Sequence, residues 1–188
     1  MIARPSTEAI GRPADAVGAG AVLTGRARYM ADLRAPGMLV GGLLYAQHPA
    51  ARILRIDTAR ARLVPGVAAV LTHRDVPGAN SYLYADLDDQ PLFAVDRVRC
   101  LGDIVAAVAA ESEEAAREAL AAIEVDYAPL PGVHDVQAAL APGAPRVWEE
   151  RDNVCSRLVL ARGALDEGFA RADVVLEKTY QTQRCEHA

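Results

Sequence analysis

The stretch IVAAVAA, Ile104 to Ala110, is seven apolar residues in a row, and SEEAAREALAAI, Ser112 to Ile123, follows almost at once. The run is far short of the roughly 20 residues a membrane-crossing helix needs, so it reads as a buried strand. The second stretch reads as an amphipathic helix. Ser112 can cap it, and Glu113 and Glu114 occupy the first turn, where the positive end of the helix dipole favours acids. Ala116, Leu120 and Ile123 recur at helical spacing and make one narrow apolar stripe. A buried strand next to a one-faced helix requires a layered globular core.

Other runs extend the pattern. MLVGGLLYA (Met38–Ala46) follows the turn pair Pro36-Gly37 and is expected to be a strand. RILRIDT gives a short strand, and a short helix capped by Asp57 or Thr58 is expected after it, ended by Pro65-Gly66. VAAVLT (Val67–Thr72) is a further buried strand, and HRDVPG a turn or single helical turn. Residues 79–96 form a long polar loop of the kind that is often functional, carrying Tyr82, Tyr84 and Phe93. A strand, a turn at Gly102 and the Ile104 strand come next, then the Ser112 helix, the strand IEVDY, and a short helix capped by Asp135. APGAP (Ala141–Pro145) looks like a linker. Beyond it NVCSRLVLA and VVLEKTYQTQ (Val174–Gln183) alternate as strands around a small helix in GALDEGFARAD. The first twenty residues or so, rich in Ala, Gly and Pro, are expected to be an extended lead-in. Without a steady strand–helix–strand beat, the class expected is α+β with mainly antiparallel pairing.

Composition narrows the function. Aromatic residues are only 5% of the 188, so the core must be aliphatic. The net charge is −5 and the basic residues are scattered, which speaks against a nucleic-acid partner. Cys100, Cys155 and Cys185 are far apart, odd in number and without CxxC spacing, which argues against a disulfide framework or a structural zinc site. The start has no apolar signal segment and no run is long enough to span a membrane, so a cytoplasmic location is expected.

Candidate chemistry is sparse. Cys185, Glu186 and His187 stand together near the end. Adjacent placement does not aim a base at a nucleophile, nor turn three side chains onto one metal. His48, His73 and His134 sit at element edges and are expected to be structural or solvated. Gly18, Gly20 and Gly25 lack the preceding strand and the lysine of a phosphate-binding loop. The acid pairs Asp88-Asp89 and Glu149-Glu150 lie in polar stretches. No catalytic residue and no metal ligand is assigned.

Six segments in order do carry a resemblance: LTGRARYMADLRAPGML, ARILRIDTARA, PGVAAVLTHRDVPG, DQPLFAVDRVRCLGDIVAAVAAE, EALAAIEVDYAPLPGV and ADVVLEKTYQTQRCEHA. Together the chain resembles the N-terminal part of the molybdopterin-binding large subunit of the xanthine dehydrogenase and aldehyde oxidase family. The resemblance implies an extended lead-in over 1–24 and an α/β hammerhead domain over 25–140. A linker and the first strands and helix of a truncated molybdopterin-binding domain would fill 141–188. It implies a parent that oxidises aldehydes or N-heterocycles with molybdopterin, passing electrons to an iron–sulfur subunit and an FAD subunit. It makes CEHA a cut edge, with the rest of the molybdopterin-binding subunit as partner and no cofactor bound to this piece alone. Cys185 stands where xanthine dehydrogenases carry a glutamine that reaches toward the molybdenum, and it is the one cofactor-binding residue implied. A thiol replaces an amide donor poorly, which points away from xanthine as substrate. The alternative reading is a stand-alone binding or scaffold module with the same fold.

Overall fold

The computed structural model describes residues 11 and 13, residues 16–82 and residues 89–183. Tyr84, Asp88 and the Cys185–Glu186–His187 triplet lie outside the described residues. The chain divides into two compact units, one up to Gly132 and one from Val133.

The first unit holds helix α1 (Ala19–Leu23), strands β1 (Val40–Tyr45), β2 (Ala51–Asp57), β3 (Val67–Leu71), β4 (Arg97–Val98) and β5 (Ile104–Ala110), helix α2 (Glu113–Ala121) and strand β6 (Glu124–Pro129). The strands make two three-stranded sheets, ordered β1-β5-β3 and β4-β2-β6, and every pairing is antiparallel. The expected α+β class is what the chain adopts.

The alanine-rich β5 is central in the first sheet. Ala106, Val108 and Ala110 share one cluster with Ala115, Ala116 and Ala119 of α2, Val70 of β3 and Ile123. Gly42, Val108 and Val70 lie side by side across the three strands. A Cβ on Gly42 would stand 2.8 Å from Leu120 Cδ1, so this glycine lets α2 settle onto β1. The helix begins where expected, with the Ser112 hydroxyl accepting from the Ala115 N–H at 3.1 Å. Its buried stripe is wider than the one read from Ala116, Leu120 and Ile123, because Ala115 and Ala119 also go in.

A bulge ties this sheet to the second. Leu44 pairs with Ala106 and Tyr45 with Ile104, leaving Val105 as the extra residue. Val105 packs with Ala46, Ala51, Ala94 and Val98, and Ile56 and Val125 touch both clusters, so one core serves both sheets. The proline–glycine pairs act as turns, as their sequence implies. Val67 N–H donates to Val64 O at 3.2 Å across Pro65-Gly66, and Met38 N–H to Ala35 O at 3.1 Å across Pro36-Gly37. Gly66 and Gly37 have φ of 81° and 71°, which a type II turn demands of its third residue.

Four expectations are corrected. The lead-in is not wholly extended, since Ala19–Leu23 closes one helical turn, though it buries nothing. No α-helix starts at Asp57. Its carboxylate accepts from the Ala59 N–H at 2.9 Å, making a side-chain turn instead, and only a 3-10 turn follows at Ala61–Leu63. The strands expected in NVCSRLVLA and VVLEKTYQTQ do not form among the described residues. Alternation marks a chain fit for a sheet, but a strand exists only once its N–H and C=O groups meet a neighbour.

The second unit holds α3 (Val136–Leu140), capped as expected by Asp135, and α4 (Leu165–Ala170). Its organiser is Asn153. The side-chain amide donates to Ala139 O and Pro145 O, each at 3.0 Å, and Oδ1 accepts from the Val147 N–H at 2.9 Å.

The α2–β5 contact has no spare volume. Ala119→Leu is expected to lower the first unit's unfolding free energy by about 1–3 kcal/mol, seen as a lower urea midpoint. Ala121→Leu, on the exposed side of the same helix, should leave that midpoint in place.

Candidate functional site

A groove of ≈ 340 Å³ lies in the first unit, lined by Ile53, Arg55, Arg62, Thr72, His73, Arg74, Asp75 and Asp96 among others. It lies where β2 outruns its neighbour: β4 pairs with β2 at Ala51 and Arg52, and the Ile53 N–H makes one more bond, to Asp96 O at 2.8 Å. The turn after β3 is a 3-10 turn, His73–Asp75, locked by a reciprocal cap. Thr72 donates to Asp75 Oδ2 through its N–H at 2.8 Å and its hydroxyl at 3.1 Å, and Arg74 N–H donates to the Thr72 hydroxyl at 3.3 Å.

Three of the groove's charged side chains, Asp75, Arg62 and Arg55, are held in structural bonds. The Thr72 N–H, then its hydroxyl, hold the Asp75 carboxyl below the usual carboxylate range. Arg62 donates to Val70 O at 2.8 Å and to the Thr58 hydroxyl at 3.2 Å. Arg55 donates to Asp126, Asp57 and Glu124 across the exposed face of β2 and β6, at 3.1, 3.0 and 3.5 Å. The Asp126 hydrogen bond leads in raising its pKa further. His73 Nδ1 is buried without a partner. No acid and base here share a proton and no nucleophile faces a base, so the groove holds no catalytic set.

The sequence-derived candidates fare as follows. Cys185, Glu186 and His187 lie outside the described residues. His48 packs edge-on against Tyr127, ring centres 5.1 Å apart, and His134 is exposed. Cys100 is raised, first by burial and then by Asp103, whose Oδ1 accepts from the thiol at 3.3 Å. A raised thiol is a poor nucleophile at neutral pH. Cys155, Glu149 and Glu150 are exposed. In the long loop Asn80 clasps the Phe93 backbone both ways, at 2.7 and 2.9 Å, while Tyr82 is exposed. Among the described residues no three His, Cys, Asp or Glu side chains could hold a metal ion together.

Sequence reasoning missed the polar organisers: Asn80, Asn153, Asp103 and the Thr72–Asp75 cap. The last had a signal, since a threonine three residues before an acid is the spacing of a capping box. Asp103 accepts from the Arg99 N–H at 2.5 Å and the Cys100 N–H at 3.2 Å, folding the turn around Gly102.

Comparison with known proteins places this fold. The family model "Aldehyde oxidase and xanthine dehydrogenase, a/b hammerhead domain" matches residues 24–131. The chain belongs to that family. It is 44% identical over 165 residues to a probable xanthine dehydrogenase subunit of Bacillus subtilis (strain 168), covering 88% of this chain and 22% of that protein. It is 36% identical to the nicotinate dehydrogenase large molybdopterin subunit of Eubacterium barkeri, covering 87% of this chain and 38% of the relative. Among solved structures it superposes on quinoline 2-oxidoreductase from Pseudomonas putida 86 with a TM-score of 0.73 and 37% identity, over 82% of this chain and 20% of that one. The aldehyde oxidoreductase of Desulfovibrio gigas gives 0.74 and 33%, over 84% and 19%. The chain thus spans between about a fifth and two fifths of the length of these relatives. Several relatives are named as subunits of larger complexes, and no helix among the described residues is long and apolar enough to cross a membrane.

A molybdenum cofactor is named for some relatives. The described residues do not fit one. In the groove Asp75 is held by Thr72 and Arg62 by Val70 O and the Thr58 hydroxyl, and no three metal-binding side chains gather among the described residues.

The Thr72–Asp75 cap carries a pH signature. Asp75 has a lower pKa folded than unfolded, so its stabilisation is full above the unfolded value of ~3.9 and fades as pH falls through the folded one. Asp75→Asn is expected to lower the urea midpoint at neutral pH, with the gap to wild type closing in acid. Thr72→Ala should cost about 1 kcal/mol.

Proposed function

We propose that this chain is the N-terminal, hammerhead-bearing part of a molybdenum hydroxylase large subunit, supporting the cofactor body and the substrate channel and inactive alone. One observation carries the reading: the match to large subunits runs through almost the whole chain yet accounts for about a fifth of the B. subtilis relative. In this reading residues 1–24 are the lead-in, 25–140 the hammerhead domain, and 141–188 a linker with the first elements of the molybdopterin-binding domain. The two alternating segments that stay unpaired among the described residues suit that assignment, because the strands they would join belong to the rest of the subunit. Cys185 would approach the cofactor once that remainder is present. The whole enzyme would oxidise an aldehyde or an N-heterocycle, drawing oxygen from water. Molybdopterin supplies the redox chemistry, and the protein supplies position and electrostatics. An iron–sulfur subunit and an FAD subunit would take the electrons, in the cytoplasm.

The test compares the 188-residue chain with the product of the reading frame extended past Ala188, both made in cells that synthesise the cofactor. The longer product is expected to carry molybdenum and to reduce a dye with an aldehyde or N-heterocycle, and the short chain to hold at least about tenfold less metal with no turnover. Turnover by the short chain, or a stop codon directly after Ala188 with no separately encoded remainder, overturns the reading in favour of a stand-alone module.

A further inference from the structure

Among the described residues the first sheet packs its core on one face. α2 and the shared core take the side carrying Gly42, Val70, Ala106, Val108 and Ala110. Side chains alternate along a strand, so the opposite face carries Leu43 and Tyr45 of β1, Ala107 and Ala109 of β5, and Ala69 and Leu71 of β3. Registers set Leu43, Ala107 and Leu71 in one row across the sheet, and Gly41, Ala109 and Ala69 in the next. Every one of these is apolar or glycine, apart from the Tyr45 hydroxyl. The large ones remain open to solvent: Leu43 44%, Tyr45 50% and Leu71 41% exposed. In the first of these rows the two leucines flank an alanine, and the second row is all small. The two outer strands stand two strand spacings apart, roughly 10 Å, about the width of one helix.

We infer that this bare face is a docking surface for an apolar, helix-wide element of the rest of the same subunit. The inference rests on the reading of the chain as part of a large subunit and says which surface makes the join. Length argues for that occupant, since roughly four fifths of the B. subtilis relative lies outside the match. Charge agrees. The face offers no side-chain ion to steer a soluble partner, so it suits contact that forms within one polypeptide and stays closed. A second copy of the chain is a poorer occupant. The second unit also bares apolar side chains, with Leu160 87% and Leu176 83% exposed, and a copy docked on this sheet would leave those uncovered. Contiguous apolar surface without charges marks an interaction site, and the small residues let bulky aliphatic side chains approach the sheet closely.

The test combines footprinting with a charge-bearing variant. Hydroxyl-radical labelling of Leu43, Tyr45 and Leu71 is measured in the 188-residue chain and in the longer, molybdenum-loaded subunit. Labelling is expected to fall about tenfold or more in the longer protein, as full burial requires. In parallel, Leu43→Asp with Leu71→Asp should lower the thermal midpoint of the short chain only by a few degrees, because both side chains are about two fifths exposed there. The same pair should lower the yield of molybdenum-loaded longer subunit about tenfold or more, since each carboxylate would be buried without a partner. Leu63→Asp, at an exposed leucine off this sheet, should not lower it. Equal labelling in both forms, or undiminished yield from the double variant, overturns the inference while a molybdenum-loaded wild type keeps the parent reading intact. Failure of the wild-type longer product to load molybdenum removes both. Protection of the face in the short chain that rises with concentration overturns it in favour of a second copy.

Discussion

The contact between α2 and the centre of β5 is the constraint from which the rest follows. It is built from alanine on both sides, Ala115, Ala116 and Ala119 against Ala106 and Ala110, with Val108 between. Small side chains bury little area each, so the contact stabilises by closeness, with backbone approaching backbone and dispersion summed over many atoms. Closeness needs a clear floor, and Gly42 provides it beneath Leu120. With few aromatic rings to fill space, the chain cannot hold its layers apart, and a short helix pressed onto a short strand is the geometry left. β5 then recruits β1 and β3 on its two edges, and its bulge at Val105 carries the core across to the second sheet.

The polar residues serve the same end. Ser112 and Asp135 cap helices, Thr72 and Asp75 close a turn, Asp103 gathers three donors, and Asn80 and Asn153 pin loops to themselves. Each meets backbone groups that no ladder reaches, where an unmet buried donor or acceptor is expensive. A carboxylate fixed by two or three such bonds is neither a base nor a metal ligand. The chain is therefore rich in ionisable groups and still holds no reaction centre among its described residues.

What was legible in the sequence was local. Pro65-Gly66, the Ser112 cap and the unbroken Ile104–Ala110 run each state their own structure, because turn strain, capping and apolar burial act over a few residues. Sheet membership was not legible. β4 and β5 are joined by a turn of a few residues, as a hairpin would be, yet they lie in different sheets. Asp103 folds the turn, but partners far along the chain, β2 for one strand and β1 and β3 for the other, decide where the strands go. The same rule accounts for Val174–Gln183, where alternation was present and no ladder formed. The site followed suit: six ordered segments revealed the family, while no single residue revealed chemistry, and Cys185 falls beyond the described residues.

Exposed apolar surface gives these points a common cause. Scattered surface leucines are ordinary, but a pair aligned in one row by sheet register, Leu43 and Leu71, is not scattered. Alternating leucines and valines that find no ladder are not ordinary either. Keeping such side chains in water gains a free-standing domain nothing and invites edge pairing with other chains. On the reading proposed above, the rest of the subunit would cover them. The first unit can hold itself together because its alanine contact is internal. The second unit has no buried apolar side chain among its described residues, and on the proposed reading a sheet of the remaining subunit would turn its alternating segments into strands. A unit with its own core, followed in sequence by a unit without one, is the arrangement expected where one domain of a larger subunit passes its chain into the next.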